Sequence, residues 1–311
     1  MKVLVTCPPM LGLFDEFVSE FERHGLDGVA AQVTQVMTEE ELIEVLPDYD
    51  GWIIGDDPAT RRVFEAGHAG RLRAAVKWGV GTDNVDFDAC RDLGIPITNT
   101  PGVFGNEVAD VALSFLLGLS RHTFEIDRAI RDGGWPKPPG VSLWDKTVAV
   151  VGYGDIGRAT IRRLKAFDLK VISYDPFATV EDPDVEQAQW PDRIGEADFL
   201  VFTCPLTPDT HHMFNHDLLP KLKPGMRVVN VARGPVIDET ALVKGLEDGT
   251  VGAAALDVFE VEPLAADNPL RRFDNLIYGS HNGSNSVDAV RKVSHLAIQK
   301  IAGFFEDLDK S

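Results

Sequence analysis

A short apolar run that leads into three closely spaced glycines constrains the fold of this chain more than any other feature. The run is Thr147–Val151, the glycines are Gly152, Gly154 and Gly157, and an amphipathic helical pattern follows at once. In such a unit the first glycine permits a tight turn, the second lets a pyrophosphate approach the backbone, and the third packs helix against strand. The first helical turn, with Asp155 and Ile156, then presents N–H groups and a positive dipole end. The motif predicts a dinucleotide site.

An acidic residue supports this prediction. The next predicted strand, Lys170–Asp175, ends in a carboxylate where it would accept hydrogen bonds from the ribose hydroxyls. The same carboxylate would repel the additional phosphate of NADP, so we predict that the cofactor is NAD. A structural glycine turn beside a surface Asp175 is the alternative, but the order of strand, turn, helix and acid favours a cofactor site.

Short β-branched runs alternate with helical patterns along the chain. We predict strands at 2–6, 51–55, 75–78, 147–152, 170–175, 198–203, 226–231, 252–256 and 275–278, and helices at 15–24, 106–121, 155–167, 238–249 and 285–305. Continuous apolar strands separated by helices are typical of parallel sheets covered on both faces. A chain of 311 residues, at about 150 residues a domain, predicts two α/β domains.

Two stretches interrupt this alternation. The sequence NTPG at Asn99–Gly102 precedes a long helical pattern and predicts a domain boundary. The segment Asp132–Leu143 is rich in proline and glycine, and it is a linker, an interface arm or an exposed loop.

Composition excludes several functional classes. With 49 acidic and 30 basic residues the net charge is −19, which repels nucleic-acid backbones and anionic lipid surfaces, so we expect neither as a partner. The apolar stretches are too short to cross a bilayer. The cysteines (Cys7, Cys90 and Cys204) lack CxxC spacing, which predicts no disulfide framework and a cytoplasmic location. His211, His212 and His216 are clustered, but we predict no metal site.

Polar residues follow three predicted strands at their carboxyl ends. Ala232 and Arg233 follow the strand at 226–231, Asp257, Glu260 and Glu262 follow the strand at 252–256, and His281 follows the strand at 275–278. Ligands of open α/β sheets bind at this edge. A guanidinium can grip a carboxylate, an imidazole can exchange a hydroxyl proton, and a carboxylate can orient the imidazole. An arginine, a carboxylate and a histidine together suit hydride transfer on a hydroxy or keto acid. The alternative is that the arginine and the carboxylates are solvated loop residues and that His281 is part of a turn.

Three long motifs carry a resemblance to a known family. They are KWGVGTDNVDFDACRDLGIPITNTPG, NEVADVALSFLLGLSR and VARGPVIDETALVKGLEDGTVGAAALDVFEVEPL. This pattern resembles the NAD-dependent D-2-hydroxyacid dehydrogenases, and most of all their phosphoglycerate dehydrogenase-like branch. The resemblance implies an α/β fold of two Rossmann-like or flavodoxin-like parallel-sheet domains with an intervening cleft. An NAD-binding domain at 100–288 would be inserted into a substrate-binding domain formed by 1–99 and 289–311.

The resemblance also implies roles for single residues. Arg233 would bind the carboxylate and carbonyl of a small 2-hydroxy or 2-keto acid, and His281, paired with Glu262, would be the general acid/base. Ala232 and Asp257 would belong to the cofactor site, with Asp257 contacting the nicotinamide carboxamide. In the first domain, the backbone N–H groups of Val80 and Gly81 would bind the substrate carboxylate.

The chain departs from the family pattern at two places. In the family pattern a proline precedes the histidine and an apolar residue follows it. This chain has SHNGSN (Ser280–Asn285) at that place, so the polar Asn282 would reshape the pocket. It also has Gly55-Asp56-Asp57 where the phosphoglycerate branch carries an arginine, which argues against a phosphorylated substrate despite the nearby Arg61 and Arg62.

Two further expectations concern assembly and the class of protein. The family resemblance implies a homodimer, with Asn106–Leu143 contributing to the interface. An NAD-sensing interaction protein of the corepressor type, built on the same fold, is the alternative to an enzyme.

Overall fold

The structure, a computed structural model of the chain, describes residues 1–33 and 35–310. It divides into two compact units, which confirms the predicted pair of parallel-sheet α/β domains. Unit 1 comprises Met1–Phe104 and the C-terminal residues from Asn285 onward, and unit 2 comprises Gly105–Ser284. Unit 1 extends past Asn99 because Thr100 donates its N–H to the Gly79 carbonyl and the Phe104 ring packs on Trp78.

Unit 1 is a five-stranded sheet with helices. Its strands are β1 (Lys2–Val5), β2 (Asp27–Ala30), β3 (Gly51–Ile54), β4 (Ala74–Lys77) and β5 (Ile97–Asn99). Its helices are α1 (Pro8–Leu11), α2 (Val18–Arg23), α3 (Glu39–Val45), α4 (Arg61–Ala69), α5 (Phe87–Leu93) and, from the end of the chain, α10 (Val287–Leu308). The strand order β2-β1-β3-β4-β5, with every pairing parallel, is the flavodoxin-like order.

Apolar strands and capped helix ends account for this unit. Trp52 and Ile54 of β3 are fully buried and pack in one cluster with Leu42 of α3 and Phe64 of α4. Helix α3 begins with a capping box, in which Thr38 and Glu41 exchange hydrogen bonds. The expected helix at 15–24 is instead a 3-10 turn at Phe14–Glu16 followed by α2, with the buried ring of Phe17 at the junction.

Unit 2 is a seven-stranded sheet. Its strands are β6 (Thr147–Val151), β7 (Lys170–Tyr174), β8 (Val185–Gln187), β9 (Phe199–Phe202), β10 (Met226–Asn230), β11 (Val251–Leu256) and β12 (Leu276–Tyr278). Its helices are α6 (Gly105–Arg121), α7 (Thr123–Arg131), α8 (Asp155–Lys165) and α9 (Glu239–Asp248). The order β12-β11-β10-β9-β6-β7-β8 is parallel throughout, so the carboxyl ends of β6, β7, β10, β11 and β12 share one edge.

The core of unit 2 lies on the strands at the centre of this sheet. Ala149, Leu200 and Val228 of β6, β9 and β10 are fully buried, and the rings of Phe202 and Phe214 in the same cluster meet edge-on. A rigid central sheet fixes the positions at which the strands end, and therefore the positions of the loops that follow. In the described part of the chain, no helix has the combination of length and apolar character that a membrane span needs.

Candidate active site

The glycine loop shows where each of its three glycines is required. Gly152 has a φ of 101°, and a Cβ there would lie 2.9 Å from the backbone nitrogen of Cys204. A Cβ on Gly157 would lie 2.0 Å from the carbonyl oxygen of Gly152, whereas a Cβ on Gly154 would meet nothing within 4 Å. Folding therefore requires the first and third glycines, and the open space at Gly154 fits the close approach of a pyrophosphate.

The turn delivers the chain into the first residues of α8. Gly154 is the N-cap and contributes no side-chain cap, and Asp155 and Ile156 form the first turn. The N–H groups of this turn and the positive end of the helix dipole are suited to a diphosphate. The hydroxyl of Thr203, just after β9, donates to the carbonyls of Val151 and Gly152 at 2.9 and 3.1 Å and fixes the turn from below.

Asp175 lies immediately after β7, next to the glycine loop. Its carboxylate accepts hydrogen bonds from the backbone N–H groups of Tyr153, Phe177 and Ala178 at 2.7–2.9 Å. Burial acts to raise the pKa of this carboxyl, but the three N–H donors and the Arg158 guanidinium outweigh it, so the pKa is lowered. Asp175 is therefore a fixed, ionised acceptor at the point where the motif predicts the ribose.

Arg233 follows β10 and is held by its own strand end. The buried Asn230 side chain donates to the Arg233 carbonyl at 2.9 Å and accepts the N–H of Ala232 at 3.0 Å. The next residue, Gly234, leaves no room for a Cβ, which would lie 1.8 Å from the carbonyl oxygen of Phe259. The chain that carries Arg233 is thus pressed against the loop after β11.

Asp257, directly after β11, organises the loop that carries the histidine. Its side chain is 3% exposed, and it accepts the backbone N–H groups of Asn282 at 3.0 Å and Gly283 at 2.8 Å. Its carbonyl accepts the N–H of His281 at 2.6 Å. His281 has a φ of 55°, and such left-handed conformations persist in non-glycine residues where the surroundings enforce them, often at functional sites. The predicted contact of Asp257 with a nicotinamide stays a prediction.

Glu262 and His281 form a hydrogen-bonded pair. The Nδ1 atom of His281 lies 2.7 Å from Oε2 of Glu262, and the two side chains are only 21% and 23% exposed. The other carboxylate oxygen, Oε1, accepts the N–H of Phe259 at 2.9 Å. Since Nδ1 is engaged by the carboxylate, Nε2 is the ring atom that can exchange a proton with a ligand.

These residues make proton transfer possible at one sheet edge. A carboxylate beside the imidazole stabilises its protonated form and fixes its orientation. A guanidinium on the neighbouring strand end is a group that can stabilise an oxygen on which negative charge develops. Arg233, Glu262 and His281, predicted from three separate strand ends, all lie at the carboxyl edge of the unit 2 sheet.

The remaining predicted site residues belong to unit 1. Val80 and Gly81 lie just after β4, in a turn held by Thr100, whose hydroxyl accepts the Gly79 N–H at 2.8 Å. The turn leaves the N–H groups of Val80 and Gly81 without an acceptor among the described residues. This is compatible with their predicted role, which stays a prediction.

The Gly55–Asp57 turn has a different charge arrangement from the one expected. Asp57 is fully buried, and its carboxylate accepts hydrogen bonds from the Thr6 hydroxyl and from the N–H groups of Met37 and Gly55. Burial raises its pKa. Asp56 lies 3.0 Å from Nζ of the buried Lys77. The turn therefore does not present two carboxylates to a ligand, because Asp57 points inward and Asp56 faces a lysine.

Other candidate groups do not assemble into a site. Among the described residues, no group of three or more potential metal ligands occurs. His212 is 2.6 Å from a carboxylate oxygen of Glu260, and His216 is 3.1 Å from the Thr240 hydroxyl. The three cysteines are free and buried, and burial raises their pKa values, to about 12 for Cys90 and Cys204, so they are poor nucleophiles.

Sequence reasoning missed the residues that support the site. Asn230 and Thr203 are both polar residues at the end of a buried strand, and this position in the sequence indicates that they support the loops after the strands. Glu239, the first residue of α9, accepts the Glu260 N–H at 2.9 Å, and no local pattern indicates such a long-range contact.

Comparison with known protein families gives one match that covers more than half of the chain. Residues 113–283 match the family described as D-isomer specific 2-hydroxyacid dehydrogenase, NAD binding domain. The matched range contains the glycine loop, Asp175, Arg233, Glu262 and His281.

Curated relatives share about a third of their residues with this chain. A glyoxylate reductase of Thermofilum pendens is 36% identical over 84% of this chain and 80% of its own length. A hydroxypyruvate reductase of Thermotoga maritima is 34% identical over 85% of this chain and 88% of its own length. A D-3-phosphoglycerate dehydrogenase of Methanocaldococcus jannaschii is 33% identical over 97% of this chain, but over only 57% of its own length.

Solved structures share the fold over nearly the whole chain. The TT0316 protein of Thermus thermophilus superimposes with a TM-score of 0.88 at 29% identity, covering 99% of this chain and 97% of its own. The apo D-lactate dehydrogenase of Escherichia coli superimposes with a TM-score of 0.84 at 25% identity, covering 100% and 97%.

Proposed function

This chain belongs to the D-isomer specific 2-hydroxyacid dehydrogenase family and is an NAD-dependent oxidoreductase. We propose that it reduces a small, unphosphorylated 2-keto acid to the D-2-hydroxy acid and that it also catalyses the reverse reaction. The observation that carries the proposal is the Glu262–His281 pair, 2.7 Å apart, at the sheet edge that also carries Arg233 and the glycine loop. No finding favours the corepressor alternative.

The residues divide the reaction between them. NAD supplies the hydride acceptor in oxidation and, once reduced, the hydride donor. We assign its diphosphate to the loop of Gly152, Gly154 and Gly157 with the first turn of α8, and its ribose to Asp175.

On the substrate side, His281 donates a proton through Nε2 to the carbonyl oxygen in reduction and removes the hydroxyl proton in oxidation. Glu262 holds the imidazole and favours its charged form. Arg233 binds the carboxylate and stabilises charge at the reacting oxygen.

The charge of the Gly55–Asp57 turn supports an unphosphorylated substrate. The buried ammonium of Lys77 already faces Asp56 at 3.0 Å, so it is poorly suited to balance a phosphate dianion. The nearby Arg61 and Arg62 pair with Asp92 and Glu39. Two of the relatives, a glyoxylate reductase and a hydroxypyruvate reductase, are named for small acids without phosphate.

A matched pair of substrates tests the proposal. We expect the protein to oxidise NADH in the presence of glyoxylate, pyruvate or hydroxypyruvate, which is measured as a loss of NADH absorbance. The value of kcat/KM for hydroxypyruvate should exceed that for 3-phosphohydroxypyruvate, which differs only by the phosphate. A tenfold preference for the phosphorylated acid would overturn the substrate assignment, and no turnover with any 2-keto acid would overturn the proposal itself.

We also propose that the chain works as a homodimer in the cytoplasm. Helix α7 has no buried residue, and Trp135, shortly after it, is 79% exposed, which supports an interface that includes Asn106–Leu143. Three free cysteines are compatible with a reducing compartment.

A further inference from the structure

The segment that carries Glu262 is held from outside the active-site residues. This segment, Phe259–Pro263, follows β11 and has no regular secondary structure. The carboxylate of Glu239, at the start of α9, accepts the backbone N–H of Glu260 at 2.9 Å through Oε1. Its other oxygen accepts a hydrogen bond from the side chain of Asn268 at 2.9 Å. The carboxylate of Glu239 therefore binds the loop after β11 at two points, Glu260 and Asn268.

A histidine, His212, contacts the side chain of Glu260. Nε2 of His212 lies 2.6 Å from Oε1 of Glu260, with the two side chains 38% and 29% exposed. The backbone N–H of His212 donates to the Pro235 carbonyl at 2.8 Å, only two residues after Arg233. The His212–Glu260 pair thus links the chain that carries Arg233 to the segment that carries Glu262.

The surroundings of His212 favour a stable contact. Its ring stacks on His211, with centroids 4.0 Å apart. Asp238 lies near His212: burial acts to raise the pKa of this carboxyl, but hydrogen bonds from Thr240 and Ala241 and the electrostatic influence of His212 lower it.

We propose that His212 and Glu260 are positioning residues for the proton-transfer pair. By fixing Glu260, His212 keeps Glu262 two residues later at hydrogen-bonding distance from His281. His212 itself touches neither substrate nor cofactor in this scheme. The inference rests on the proposed function, because it assigns His281 as the acid/base whose protonated form Glu262 maintains.

The alternative is an ordinary surface pair, which contributes little to stability and nothing to turnover. Three single variants separate the two. His212→Ala removes the contact, and His212→Gln keeps an N–H donor toward Glu260. His216→Ala is the control, since the ring of His216 lies at hydrogen-bonding distance from the Thr240 hydroxyl and not from Glu260.

We expect His212→Ala to lower kcat by about tenfold, since misplacing a catalytic group by an ångström costs up to about 10²-fold. In a plot of the rate of reduction against pH, the rate falls at high pH as the His281 imidazole loses its proton. In His212→Ala this fall should occur at lower pH, because Glu262 stabilises the protonated ring less well. The thermal midpoint and the Kd of NADH should not change. His212→Gln should restore most of the rate, and His216→Ala should behave as wild type.

A double-mutant cycle locates the effect. Glu262→Gln should shift the same fall in rate, and adding His212→Ala to it should lower kcat by less than about twofold, because residues acting through one contact are not additive. Multiplicative losses, an unshifted pH profile in His212→Ala, or an equal loss in His216→Ala would each overturn the positioning role.

NMR titration of the His281 ring tests the inference independently of turnover, with the signal assigned by its absence in His281→Asn. The midpoint should fall in His212→Ala and stay unchanged in His216→Ala. If the wild-type protein reduces no 2-keto acid but this midpoint shifts as expected, the proposed function fails and the positioning role stands. If turnover is normal and the midpoint does not move, the positioning role fails alone.

Discussion

At the scale of single residues, the acid/base assignment depends on His281. The substitution His281→Asn keeps a polar side chain but removes the proton-exchanging ring, so kcat should fall by roughly 10²–10⁴-fold, the usual contribution of a positioned acid/base. NADH binding, measured by its fluorescence, should stay within about twofold, because no cofactor contact is assigned to this ring. Turnover close to that of the wild type would show that another group moves the proton.

Cofactor choice is assigned to Asp175. Its carboxylate is ionised and fixed by three backbone N–H groups, and a close like-charge contact costs on the order of 1–4 kcal/mol. NADH should therefore exceed NADPH by at least about tenfold in kcat/KM, and Asp175→Asn should reduce this ratio. The control is Asp184→Asn, which removes an exposed charge paired with Lys165 and should leave the ratio unchanged. Equal use of both cofactors by the wild type would contradict the assignment.

At the scale of elements, strands with a continuous buried apolar run were predictable, and short strands of half-exposed residues were not. The nine predicted strands match β1, β3, β4, β6, β7, β9, β10, β11 and β12 to within about two residues at each end, because a continuous apolar run in a parallel sheet is visible in sequence. The three missed strands, β2, β5 and β8, consist mostly of exposed or half-exposed residues, whereas the equally short edge strand β12 buries Leu276 and Ile277. The missed helices α1, α3, α4 and α5 are only four to nine residues long, and the missed helix α7 is amphipathic but buries no residue.

The candidate site was predictable to the same degree. Arg233, Glu262 and His281 could be selected because each follows a strand end in the chain, and the parallel order of the sheet then places those ends together. The inward turn of Asp57 could not be predicted, since it depends on Thr6 and Met37, which are distant in sequence. The same is true of the His212–Glu260 contact, which joins two loops.

The glycine loop offers a test at the scale of one element. Gly154→Ala adds a Cβ where the protein has open space, at a φ of −75° that alanine accepts. The Kd of NADH should rise at least tenfold through the lost approach of the pyrophosphate, with little change in thermal midpoint. Gly157→Ala should instead lower the thermal midpoint, because its Cβ would lie 2.0 Å from the Gly152 carbonyl oxygen.

Gly303→Ala is the matched control for both, since its Cβ also meets nothing within 4 Å and lies in α10. It should leave the Kd of NADH unchanged and raise stability by up to about 1 kcal/mol, the helix propensity difference between alanine and glycine. Unchanged NADH affinity in Gly154→Ala would remove the pyrophosphate from this loop.

At the scale of the whole molecule, charge and exposed apolar surface act in opposite directions on assembly. A net charge of −19 makes two copies repel each other at low ionic strength, and salt screens this repulsion. The exposed side chains of Ile130 and Trp135 lie on or just after α7 and provide apolar area that association could bury. Dimerisation through this segment should therefore strengthen as salt is raised, the reverse of an interface built on ion pairs.

Light scattering at micromolar concentration should give about twice the chain mass of 34.1 kDa. The double variant Ile130→Glu with Trp135→Ser should shift the protein toward the monomer, because it places a charge in the apolar segment and removes its most exposed ring. The control Val18→Glu adds the same charge at a valine that is 40% exposed in unit 1, and it should leave the mass unchanged. A monomeric wild type at 0.5 M salt, or a dimer that survives the double variant, would contradict an interface at Asn106–Leu143.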